Sequence, residues 1–223
     1  MNITHDTTVA AIATNHPLAT RVFARHKIDF CCGGKRPVAV ICGEKDLDVD
    51  ALIAEIEAEL ASAPNSPETW AEASSADLIA HILETYHVPL KEELPRLESM
   101  ARKVHRVHGE KDPAMFDAML DLFLGIKQEI DGHLVEEEEV LFPAMLGVAF
   151  DQAASPMSKI EAEHTALGDM LKALRKATGD FVVPDYACNT YRGLWVGLEQ
   201  LESDLHEHIH LENNILHPRF AAK

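Results

Sequence analysis

The feature that most constrains the fold is a rhythm of apolar residues three and four positions apart, repeated in four stretches of the chain. In the last stretch Leu194, Leu198, Leu201 and Leu205 advance by four, three and four, and the same rhythm lands next on His208, Glu212 and Ile215. Such spacing puts these side chains on one stripe of an α-helix, facing a core. A stripe that should be apolar throughout therefore carries a histidine and a glutamate one turn apart. His206 and His210 form a second ladder on another face and are expected toward the flank or solvent.

Two further stretches repeat the arrangement. Met119, Phe123, Ile126 and Ile130 define a seam that continues through His133 and Glu137 to Val140, while Glu136, Glu138 and Glu139 point elsewhere and read as solvated charge. Met157, Ile160, His164, Leu167, Leu171 and Leu174 share a stripe by the same spacing. The first stretch, Ala80, Leu83, His87, Leu90, Leu94 and Leu97, contains Pro89 and Pro95. Each proline removes a backbone donor and is predicted to bend or interrupt the helix.

Helix starts are expected after Ser74 and Ser75, at Asp112 with Pro113 in the first turn, at Ser155 with Pro156, and near Pro184, with a stop at Pro218. No alternating strand pattern competes with them. The fold class is therefore all-α, an antiparallel four-helix bundle over residues 70–223. Residues 1–61 read as a small helical domain punctuated by Pro17, the CCGGK turn at 31–35, Pro37 and an Asp48 N-cap. SAPNSPET, residues 62–69, reads as the linker.

Charge narrows the function classes. Twenty basic against 37 acidic residues leave a formal charge of -17, which repels phosphate backbones and argues against nucleic acid as a partner. No apolar run approaches membrane-spanning length, and the N-terminus has no basic leader, so neither a membrane partner nor a cleaved secretion signal is expected. Four cysteines are too few for a disulfide-built scaffold, and the expected compartment is the cytoplasm.

A single histidine on an apolar face is more often a hydrogen-bonded core residue than a metal ligand. Four helices each turning one inward, two of them with a glutamate a turn later, point to metal. Burying two carboxylates without a counter-charge costs several kcal/mol each or forces them to take up protons. A pair of cations removes that cost. His87, His133, His164 and His208 supply neutral imidazoles, and Glu137 and Glu212 can each bridge two metals. This mixed nitrogen and oxygen set is too hard for copper(I) and too rich for one structural zinc. Two iron ions are the preferred occupants, although manganese has similar ligand tastes. Six side chains spread over two irons leave positions for an oxo or hydroxo bridge and for an exogenous ligand such as oxygen or nitric oxide.

The motifs that carry this pattern are IDFCCGGK at 28–35, TYH ending at His87, HLVEEEEVLFP beginning at His133, EAEH ending at His164 and HIHLENNILHP beginning at His208. Together they resemble the iron-sulfur cluster repair di-iron proteins, a family with a hemerythrin-like domain, over almost the whole chain. The resemblance implies a hemerythrin-like bundle and metal ligands at His87, His133, Glu137, His164, His208 and Glu212, the set the seams also give. It further implies repair of clusters damaged by nitric oxide or oxidants through iron donation, with damaged or iron-depleted iron-sulfur proteins as partners. Bundle geometry alone equally allows an oxygen carrier or sensor, and nitric oxide reduction is an enzymatic alternative. Two departures are His217, where an aromatic residue is common, and Val88-Pro89-Leu90, where relatives can carry a more polar stretch with another histidine.

The adjacent thiols of Cys31 and Cys32 are too close along the chain for a relaxed disulfide, their Cα atoms being fixed about 3.8 Å apart. Transient metal binding, thiol exchange with a partner, a bridge to a second subunit in a homodimer, or simple burial in the small helical domain remain as readings. Gly33 and Gly34 permit a tight turn expected to expose both thiols. Cys42 and Cys188 read as isolated small hydrophobes. Asn213, Asn214, Tyr86 and Tyr191 are candidates to support the ligands, and His105 and His108 are expected at the edge of the centre or in solvent.

Overall fold

The structure, a computed structural model, describes residues 2–62, 70–147 and 154–221. Among these every regular element is helical, and the only extended pairing is an isolated antiparallel bridge between Thr8 and Pro37. The expected linker at 62–69 lies, apart from Ser62, outside the described residues. The chain divides into two compact units, residues 1–79 with 206–223, and residues 80–205.

In the first unit, α1 (Val9–Asn15), α2 (Ala19–Arg25), α3 (Val38–Glu44) and α4 (Val49–Ser62) enclose a core built on Val9, Ile12, Phe23, Phe30, Val38 and Ile56. Helices this short are marginal alone, and the buried cluster holds them. Thr8 caps α1 by accepting the Ala11 N–H, while the Val38 N–H donates to the Thr7 carbonyl and fixes the start of α3. Arg25 ties α2 to α4 through Glu55 and Glu59. Gly34 has a packing reason, since a Cβ there would overlap the Phe30 carbonyl. The same unit contains α11 (Pro218–Ala221), whose Arg219 donates to the Trp70 and Ala73 carbonyls.

The second unit is organised by α6 (Val88–His108), α7 (Pro113–Glu136), α9 (Ala154–Ala177) and most of α10 (Asn189–Leu211), with α5 (Ser75–Ile82) leading in and the short α8 (Phe142–Leu146) following α7. Ser74 caps α5 through the Asp77 N–H, and Asp112 caps α7 through the Met115 N–H with Pro113 in the first turn. The last long helix starts later than Pro184, because residues 184–188 form a turn closed by the Ala187 N–H on the Pro184 carbonyl. Gly197 lets α10 approach α6, since a Cβ there would meet Leu97 Cδ2 at 2.5 Å. These helices pack as the expected all-α, hemerythrin-like bundle.

Three wide turns interrupt the helical path, at Leu83–His87, Glu137–Leu141 and Glu212–Leu216. Each ends two residues before a proline, namely Pro89, Pro143 and Pro218. A proline in a regular helix lacks its N–H and presses on the carbonyl four residues back; looping in one extra residue relieves the clash. The N–H of Val88 accordingly reaches the Leu83 carbonyl, that of Phe142 reaches Glu137, and that of His217 reaches Glu212, each five residues back.

The extra residue rotates the seam by one position, which corrects part of the sequence reading. Val140 is 49% exposed and Leu141 takes its place in the core. In the first helix Ile82 and Tyr86 are buried, whereas Ala80 is exposed and Leu83 only half-buried. Pro95, expected to bend or interrupt its helix, lies inside α6, which runs through it without a break.

Candidate metal centre

The wide turns place the polar seam residues. His87 closes the first, Glu137 opens the second and Glu212 opens the third. His133 stands one turn before Glu137, whose N–H bonds back to the His133 and Leu134 carbonyls. His208 stands one turn before Glu212, with its Nε2 2.9 Å from Glu212 Oε1. His164 comes from the uninterrupted α9. All six side chains are buried.

Their ligand atoms fall into two overlapping groups, each within 4.8 Å: His87, Glu137, His208 and Glu212, and His133, Glu137, His164 and Glu212. The two carboxylates are common to both, which is the arrangement two bridged cations require. The ring nitrogens His133 Nε2 and His164 Nε2 lie 2.9 Å apart. Glu137 Oε1 is 3.2 Å from His133 Nε2 and 3.9 Å from His164 Nε2, and Glu137 Oε2 is 3.5 Å from His87 Nε2. Both Glu137 oxygens are buried, yet no hydrogen bond reaches them among the described residues. A buried carboxylate in that condition is costly, and cations at this point supply the missing partner. Four imidazoles and two carboxylates fit a di-iron centre.

The far sides of two rings are anchored by carboxylates. His87 Nδ1 donates to Glu138 Oε1 at 2.9 Å, and Lys91 Nζ holds both Glu138 oxygens at 2.7 Å. His133 Nδ1 donates to Glu163 Oε2 at 3.0 Å, with Lys159 3.3 Å from Glu163 Oε1 and also paired with Glu136. Holding the proton on Nδ1 leaves the Nε2 lone pair directed at the metal position. Burial pushes the Glu138 carboxyl up, but Lys91 and His87 outweigh it and hold the group below the ordinary carboxylate range. Glu163 is held low in the same way, burial being outweighed by His133 and Lys159.

Glu138 is thus no solvated bystander, and Glu163 has the same part on the His133 ring. No sequence signal pairs residue 163 with residue 133; that pairing depends on how α9 is set against α7. Tyr86 packs edge-on against His81, and Tyr191 lies among aromatic side chains seventeen positions before His208, about 25 Å along α10. His105 bonds the exposed Asp117, and His108 is buried beside Cys188.

Within the first unit, the segment bearing Cys31 and Cys32 is held against the turn that carries Glu212. Asn214 Nδ2 donates to the Phe30 and Cys31 carbonyls at 3.2 and 3.0 Å, and Asn213 Nδ2 lies 4.0 Å from Cys32 Sγ. His210 corrects the sequence reading, for it is buried, packs against the Phe30 ring at 5.5 Å and bonds Asn214. Burial lowers the His210 ring to about 4, keeping it neutral.

Asp29 Oδ1 gathers the N–H groups of Cys31, Cys32 and Gly33 at 3.2, 3.0 and 3.1 Å, which sets the turn. The sulfurs lie 3.6 Å apart and unbridged. Cys31 is only 3% exposed, against the expectation that the turn exposes both thiols, and Cys32 is half-buried. The Cys32 sulfur, burial and Asp29 push the Cys31 thiol well above its ordinary value. Asp29, Cys31 and Cys32 form a third group of ligand atoms within 4.8 Å.

Comparison with known proteins agrees with both parts of the chain. Residues 78–220 match the hemerythrin HHE cation binding domain, and residues 5–60 match a domain of unknown function, DUF542. The iron-sulfur cluster repair protein YtfE of Yersinia pseudotuberculosis serotype IB (strain PB1/+) is 41% identical over 211 residues, 95% of each chain. The protein of the same name from Yersinia pestis (strain Pestoides F) is likewise 41% identical over 211 residues and 95% of each chain. Among the described residues no helix is long and apolar enough to cross a membrane.

Proposed function

The chain belongs to the hemerythrin-type iron-sulfur cluster repair family, and from that premise we propose that it stores two iron ions and gives iron to clusters damaged by nitrosative or oxidative stress in the cytoplasm. His87, His133, His164 and His208 would each offer one ring nitrogen to the iron, and Glu137 and Glu212, common to both groups of ligand atoms, would offer their carboxylates. Bound iron supplies a redox-active, partly open centre; the protein supplies its orientation and its exit. Glu138 and Glu163 hold two of the rings in the ligating tautomer.

The observation that carries donation, in preference to oxygen carriage, is the placement of Cys31 and Cys32 against Asn213 and Asn214, the two residues that follow Glu212. An oxygen carrier has no use for two reduced thiols there. We assign Asp29, Cys31 and Cys32 as a transient holding point for iron on its way to an acceptor. The buried, protonated Cys31 thiol suits a transient role, because iron must displace a proton to be held and reprotonation releases it.

The test is a Cys31→Ser, Cys32→Ser double variant loaded anaerobically beside the parent and mixed with an iron-depleted cluster protein, with iron transfer and cluster recovery followed together. Retained loading with slowed recovery is expected. Loss of loading would move the thiols into the centre itself, and unchanged recovery would remove them from the route. Stable, reversible oxygenation of the parent without iron transfer would replace donation by oxygen carriage.

A further inference from the structure

The turn that carries Cys31 and Cys32 is fixed on both sides of the pair. Asp29 Oδ1 collects the N–H groups of Cys31, Cys32 and Gly33, while Asn214 Nδ2 donates to the Phe30 and Cys31 carbonyls. Before the pair, the Phe30 ring is buried in the core of the first unit, with its centroid 6.2 Å from that of Phe23. After it, Gly34 admits no Cβ, since one would overlap the Phe30 carbonyl. The sulfurs therefore keep a set spacing, 3.6 Å from each other, with Cys31 Sγ 3.3 Å from Asp29 Oδ1. Neither cysteine is in a disulfide.

That spacing is close to the bite of one tetrahedral ion. Zinc holds sulfur at about 2.3 Å and oxygen at about 2.0 Å, which sets two sulfurs about 3.8 Å apart and sulfur and oxygen about 3.5 Å apart. Each spacing in the turn is only about 0.2 Å shorter. Charge fits as well. Asp29 with two thiols carries one negative charge, and Asp29 with two thiolates and a divalent cation also carries one, because two protons leave as the ion enters. Burial opposes a lone thiolate at this point but does not oppose the filled site. Cys32 is half-buried and gives the ion a way in. For a given site zinc stands above ferrous iron in affinity, and thiolates select it further, whereas the imidazole and carboxylate centre offers no sulfur.

We propose that Asp29, Cys31 and Cys32 form a zinc site, and that zinc held there blocks iron donation while both irons stay in place. The block rests on the reading of these residues as the holding point for iron; the zinc site does not. Three donors are one short of the four of a closed structural zinc site, so the ion is exchangeable and its loss reopens the route. The thiolate pair takes the first equivalent of zinc ahead of the histidine and glutamate ligands. Zinc is therefore an inhibitor that acts on delivery and not on storage.

The test uses the full chain with Cys188→Ser, which removes the exposed thiol, loaded anaerobically with iron and probed with zinc sulfate. One equivalent followed by desalting should leave one zinc per chain and the iron at its loaded level. Loss of an outer partner of a ligand already weakens metal binding about 10- to 100-fold, so adding Cys31→Ser or Cys32→Ser should weaken zinc binding at least about 100-fold in competition with a chromophoric chelator. Circular dichroism checks that these variants fold. If they do not, cobalt(II) in the Cys188→Ser chain decides, because two thiolates give sulfur-to-cobalt charge-transfer bands and a site without sulfur gives none. With free zinc at ten times its dissociation constant, about one chain in eleven keeps the route open, so iron transfer to an iron-depleted cluster protein should slow about tenfold. The same acceptor given free ferrous iron and the same zinc is the control. Displaced iron, unchanged zinc binding in the folded variants, or a cobalt spectrum without sulfur bands overturns the zinc site. Bound zinc with undiminished transfer overturns the block, and the Cys31→Ser, Cys32→Ser double variant then separates the causes: slowed recovery keeps the thiols on the iron route, and unchanged recovery removes them from it.

Discussion

Replacing Glu137 by glutamine should move the stability of the metal-free and iron-loaded protein in opposite directions. The side chain is fully buried, its two oxygens accept no hydrogen bond among the described residues, and the nearest ring nitrogens stand at 3.2, 3.5 and 3.9 Å. Without metal, a buried carboxylate so placed costs several kcal/mol in lost hydration, of which the facing rings return only part. Glutamine keeps the shape and drops the charge, but leaves an amide that itself costs about 1–2 kcal/mol if unsatisfied. The net gain is about 1–2 kcal/mol, and with a response of roughly 2–4 °C per kcal/mol the metal-free variant should melt about 2–8 °C above the metal-free parent. With iron present the sign reverses. Loss of a bridging anion that weakens iron binding a hundredfold removes about 2.7 kcal/mol of ligand stabilisation. Thermal melts of both proteins, each metal-free and anaerobically loaded, give the four numbers. A variant that melts below the parent by the same margin in both forms would show that Glu137 is a structural hydrogen-bonding group and that the ligand argument is wrong.

Glu138→Gln should weaken iron binding about 10- to 100-fold by loosening the His87 ring, while Glu136→Gln should leave it unchanged; competition against a chelator of known affinity measures both, and equal effects would refute the separation. Gly34→Ala should destabilise the fold by about 1–3 kcal/mol, because its Cβ meets the Phe30 carbonyl; an unchanged urea midpoint would contradict that contact. Burial, and after it Tyr186, pushes the Tyr191 phenol up to about 12. An unfolded tyrosine ionises near 10, so this contribution is present below about pH 10 and up to about 2.7 kcal/mol is lost as pH rises to about 12. Tyr191→Phe should flatten that alkaline loss in urea titrations, and parallel slopes in the two proteins would count against it.

The bundle and the gathering of the six candidate ligand side chains were legible because both rest on helical periodicity, which local spacing reports directly. Leu194 through Glu212 kept one face because nothing interrupts α10 before the turn at Glu212. Where periodicity changes, spacing no longer reports the buried face. Pro89 and Pro143 announce a disturbance, but not that it takes the form of one inserted residue, and so spacing points to Ala80, Leu83 and Val140 where Ile82 and Leu141 are buried. His210 departs from its spacing for a different reason. Its face is outward with respect to the bundle stripe, yet Phe30, 180 positions earlier in the chain, covers it. Glu138, Glu163 and the contact of His108 with Cys188 likewise depend on which helices meet and at what register, and composition and spacing do not report that.

The most direct test of the central claim is the iron content of the full chain after anaerobic loading with ferrous iron and removal of the excess. Two overlapping groups of ligand atoms that share Glu137 and Glu212 predict close to two irons per chain, falling to one or fewer in Glu137→Gln and in Glu212→Gln. A single tightly bound zinc per chain with no uptake of iron, or full loading in both variants, would contradict it.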